Sequence, residues 1–174
     1  MRYIISKNFG PDSNSWNDYA VWNKLTHCRE YYSIDTINRC KLMNPETSTE
    51  LSNYITTDFG IELIQDFDFA QKMLKEFPNG SIIGTIKNPK SNQESIPANC
   101  RLVGYDIMDS FNDNSLISDW NSTNEAIEDL QLNASGLIDD ISYAYDLRDM
   151  LHKRFADDIQ AQKCEVWAIY KIIK

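Results

Sequence analysis

Carboxylates are the residues of this chain best suited to chemistry. The stretch 101–149 carries Asp106, Asp109, Asp113, Asp119, Glu125, Glu128, Asp129, Asp139, Asp140, Asp146 and Asp149, with Arg101 and Arg148 as its only Lys or Arg residues. Two carboxylates that converge can bind Mg²⁺ or divide acid and base work. Asp106 with Asp109 or Asp119 is the candidate set for such a site. A carboxylate-rich segment is more often a solvated surface, so metal-dependent catalysis is the secondary reading. Other chemistries have fewer residues to draw on. Nucleophilic catalysis needs a base within reach of the nucleophile, and the two histidines, His27 and His152, are far apart. His27 beside Cys28 offers two ligand types, but adjacent residues rarely chelate one ion and no second pair completes a tetrahedral site. The six glycines spell neither GxGxxG nor GxxxxGK[ST]. The segment 109–113 lacks the glycine and closing glutamate of a calcium loop. No cofactor and no catalytic residue is expected.

Charge narrows the partners. The 174 residues carry a formal net charge of −9, which argues against bare DNA or RNA, whose phosphates call for Lys and Arg. In 1–43 the bases Arg2, Lys7, Lys24, Arg29, Arg39 and Lys41 outnumber the acids Asp12, Asp18, Glu30 and Asp35, so the negative excess belongs to the rest of the chain. A basic protein partner suits such a field. No apolar run approaches a membrane span, and the apolar stretch in MRYIISKN is too short for a signal peptide, so a cytoplasmic location is expected. The four cysteines, Cys28, Cys40, Cys100 and Cys164, form no CxxC pair and are expected to be free thiols.

The elements that must position these residues are legible in part. The length suits one domain with a real core. Strands are expected at 2–7, 81–86, 102–109 and 164–173, the last apolar on both faces and therefore interior to a sheet. The polar loop between 86 and 102 suggests that the second and third of these strands are antiparallel neighbours. Within 102–109, Val103, Tyr105 and Ile107 alternate with Leu102, Gly104, Asp106 and Met108 on opposite faces. A helix is expected from Ser15, carrying Trp16, Tyr19, Trp22 and Leu25. Another begins near Ile61, with Leu63, Ile64, Phe67, Ala70, Leu74 and Phe77 as its apolar stripe and Pro78-Asn79-Gly80 as its stop. A short helix follows the capping pattern at Ser122–Glu125, and one more covers 142–155 with Asp139 and Asp140 at its positive end. The sum is an α+β domain over 1–174, a mixed, mainly antiparallel sheet with helices packed on it.

Several pieces taken together resemble an uncharacterised family of small acidic bacterial proteins: SWNDYAVW at 15–22, YSIDTI at 32–37, IIGTIKNP at 82–89, LVGYDIMD at 102–109, LNASGLIDD at 132–140 and CEVWAIYKI at 164–172. They fall in order and span nearly the whole chain, and they carry no catalytic residues to transfer. Arg39-Cys40 departs from the Cys-Pro-like pair of that pattern. In general type the chain also looks like the immunity proteins of bacterial toxin–immunity systems, including those of contact-dependent inhibition. That second resemblance implies a cytoplasmic protein that binds and neutralises a cognate toxin domain, frequently a basic nuclease. The contact residues expected on that basis are Asp106, Asp109, Phe111, Asp113, Asp119, Trp120, Glu125, Glu128 and Asp129. The alternatives are a carboxylate-dependent metal-binding enzyme and an adaptor whose partner is not a toxin.

Overall fold

The structure is a computed structural model, and it describes residues 1–7, 28, 32–33, 37, 53–58, 61–90, 96–109, 114–117 and 130–173. Strand β1 (Arg2–Lys7) is followed by the hairpin β2 (Ile55–Asp58) and β3 (Ile61–Ile64), helix α1 (Phe67–Leu74), and strands β4 (Gly80–Lys87), β5 (Cys100–Asp109) and β6 (Asn114–Ser115). Helices α2 (Ile141–Arg154) and α3 (Ile159–Gln162) then lead into β7 (Cys164–Ile172). The strands form one sheet in the order β2-β3-β1-β4-β7-β5-β6, with antiparallel pairing throughout. This is the α+β architecture that the strand and helix patterns imply.

Strand β7 lies inside the sheet, as a segment apolar on both faces requires. It pairs with β5 from Cys100↔Ile172 to Asp109↔Cys164 and with β4 from Ile83↔Lys171 to Lys87↔Trp167. This corrects the expected adjacency of β4 and β5: β7 occupies the position between them, and both run antiparallel to it. A second correction concerns 61–64. These residues are a strand, and the helix starts at Phe67, where the Asp66 carboxylate accepts the Phe69 N–H at 2.7 Å. The apolar spacing of Ile61 and Ile64 mimics a helix, but the β-branched run Ile55-Thr56-Thr57 gives Ile61–Ile64 a strand partner in the register Asp58↔Ile61. The helices expected near 15–25 and 122–130 fall outside the described residues, Leu130 apart.

The two faces of the sheet are covered differently. On one face Ala70 of α1 packs with Tyr3, Ile5, Ile64 and Ile82. On that same face Ala144, Leu147 and Leu151 of α2 pack with Tyr105, Ile107, Val166, Ala168 and Tyr170. The opposite face gathers Ile4, Ile83, Met108, Trp167 and Ile169 with Ile61 and Leu63 of the hairpin and with Tyr32, Ile37 and Leu137. Strand β3 joins β1 at Tyr3↔Ile64, and alternation along the strand puts Ile61 and Leu63 on the second face, opposite Ile64. A bulge between Leu102 and Gly104 interrupts the alternation of β5. Val103 consequently packs with the Met108–Trp167 cluster, whereas Tyr105 and Ile107 face α2.

Candidate functional site

Residues opposite one another in a β ladder share a face, and successive residues alternate. Asp106 pairs with Trp167 and therefore lies on the hairpin side, among Met108, Trp167 and Ile169. Asp109 pairs with Cys164, which belongs to the cluster under α2, and lies on the helix side. The two carboxylates stand on opposite faces, three residues or about 10 Å apart along the strand. They do not converge on one ion or one proton. Among the described residues no group of three or more His, Cys, Asp or Glu side chains is placed to hold a metal ion.

Both are also fully buried, at 0% exposure. That removes Asp106 and Asp109 from an acidic contact surface, where the sequence reading had put them. A carboxylate inside an apolar cluster is costly unless it is hydrogen-bonded. Asp106 meets this condition through Ser115, whose hydroxyl donates to Asp106 Oδ1 at 2.6 Å, the short distance of a charge-assisted bond. The same Ser115 oxygen accepts the Ile117 N–H at 3.2 Å. Phe111, Asp113, Asp119, Trp120, Glu125, Glu128 and Asp129 lie outside the described residues.

Next to Trp167 the hairpin face carries a second polar group. Lys87 pairs in register with Trp167, and its Nζ lies 5.8 Å from the centre of that ring. Nζ is 2.5 Å from Glu165 Oε2 and 3.1 Å from Asp58 Oδ1. Asn88, at a φ of +47°, donates its amide to Glu165 Oε1 at 3.1 Å. Asparagine tolerates this left-handed backbone better than most residues. A lysine held between two carboxylates is a tether rather than a nucleophile. Here it fastens the end of β2 to β4 and β7. Nothing in the spacing of positions 58, 87 and 165 announces the group, because the register of two strand pairs brings them together.

The described thiols are no better suited to attack. Burial pushes the Cys164 thiol up to about 12, with the neighbouring Asp109 and Glu165 carboxylates adding to the rise and Arg148 opposing it. Burial also raises Cys28 and Cys100. A thiolate is the reactive form, and all three stay protonated at neutral pH. Cys28, Cys100 and Cys164 form no disulfide among the described residues, and Cys40 lies outside them.

The residue that organises the approach to α2 is Asn133. Its amide donates to the Val103 carbonyl at 2.8 Å and to Asp139 Oδ1 at 2.7 Å, and its Oδ1 accepts the N–H groups of Ser135 and Leu137. The segment so folded lies along β5, where Tyr105 and Ile138 exchange N–H···O bonds of 2.7 and 2.9 Å. Asp140 then caps α2 by accepting the Tyr143 N–H at 2.8 Å. Beyond it Asp146 and Asp149 point to solvent, as Asp139 and Asp140 do. These four are the exposed carboxylates of the acidic stretch among the described residues. No helix among them is long and apolar enough to cross a membrane. Comparison with protein-family models, with curated proteins and with solved structures gives no match to this chain.

Proposed function

We propose that this chain is a cytoplasmic immunity protein that binds and neutralises a cognate bacterial toxin domain, a basic nuclease of the contact-dependent type. The observation that carries the reading is the charge distribution: a net charge of −9, with eleven carboxylates against two arginines in 101–149. Such a field steers a basic partner into encounter and rejects acidic ones. With Asp106 and Asp109 withdrawn into the core, the contacts fall to Asp113, Asp119, Glu125, Glu128 and Asp129. Phe111 and Trp120 are the aromatic anchors that supply affinity once charge has aligned the pair. Nucleic acid, a metal and a cofactor have no part in this mechanism.

The test is binding of the purified chain to the C-terminal domain encoded by the gene next to its own, at low and at high salt, together with that domain's toxicity. Tight binding that weakens with salt, accompanied by loss of toxicity, is the expected result. Reversing Asp113 and Asp119 to Lys slows association and cuts protection. Binding at low salt unchanged by that double reversal sinks the contact assignment, and no binding by the unaltered chain sinks the function.

A further inference from the structure

We draw no further inference here: the strongest candidate, the outward surface patch of α2, where Tyr143 stands 44% exposed beside the exposed carboxylates of Asp139, Asp140 and Asp146, is an acidic cluster, and nothing in the structure shows what covers it.

Discussion

A β-carbon at position 104 would lie 2.7 Å from the Leu137 Cβ and 2.8 Å from the Ile138 backbone oxygen, and the backbone there has a φ of +155°. The obstacles are a β-carbon fixed directly to its backbone and a main-chain oxygen held by the Tyr105–Ile138 bonds, so neither can swing aside. At Gly84 the added carbon would meet the Met1 sulfur at 2.8 Å, the far end of a flexible side chain. Gly104→Ala should therefore cost about 2–3 kcal/mol of stability in urea denaturation and Gly84→Ala under about 1 kcal/mol. Cys164 gives a second prediction at this scale. Burial holds its folded thiol up at about 12 against an ordinary value of 9.0, so its contribution is complete below pH 9. Above that, the unfolded chain loses the proton first, and stability falls as pH rises toward 12. The total is at most on the order of 4 kcal/mol. Cys28, Cys100, Tyr3 and Tyr105 are shifted in the same direction, so Cys164→Ala should flatten the alkaline loss without abolishing it. A stability profile identical to the unaltered protein from pH 9 upward would refute the assignment.

Each described helix begins at an aspartate whose carboxylate accepts backbone N–H groups of its first turn: Asp66 for α1, Asp140 for α2 and Asp158 for α3. These residues serve the helix ends and leave little for chemistry. Asp140→Ala should cost about 1 kcal/mol in thermal or urea unfolding, and Asp140→Asn, which keeps an acceptor, a fraction of that. Capping also explains how well the elements could be read beforehand. Helix α2 lies within one residue of its expected bounds because both its cap and its apolar face stand in one short segment. Helix α1 was expected to begin near Ile61 because Ile61 and Ile64 fit a helical stripe as well as a strand. Only the partner strand at 55–58 decides between them, and pairing leaves no mark in a local window. The bulge at Val103 is of the same kind: alternation along β5 is regular in sequence and broken in space. The strands β1, β4, β5 and β7 were legible to within two residues, since β-branched and aromatic runs bounded by turn residues identify themselves.

At the scale of the molecule, what could not be read was which carboxylates face water. Composition shows that 101–149 is acidic, and it cannot show that Asp106 and Asp109 lie at 0% exposure while Asp139, Asp140, Asp146 and Asp149 face solvent. Burial depends on what a strand is covered by, here Ser115 and the β7 side chains, and that is a property of the whole fold. The same dependence concentrates stability near Trp167, an interior residue 2% exposed that pairs with both Lys87 and Asp106. Trp167→Ala should lower the unfolding free energy by about 3–5 kcal/mol in urea denaturation. A loss below about 1 kcal/mol there would show that the hairpin face contributes little to the core. The position of β7 has a further effect during synthesis. Strands β1 to β4 and the β5–β6 pair are translated before it, yet among the described residues no strand pairing joins β4 to β5 until 164–172 emerge from the ribosome. The nascent chain thus carries two part-sheets with unpaired β4 and β5 edges, the surfaces most open to wrong pairing. Its closing step is the insertion of one strand between two others, a slow, non-local event that leaves time for a chaperone to act.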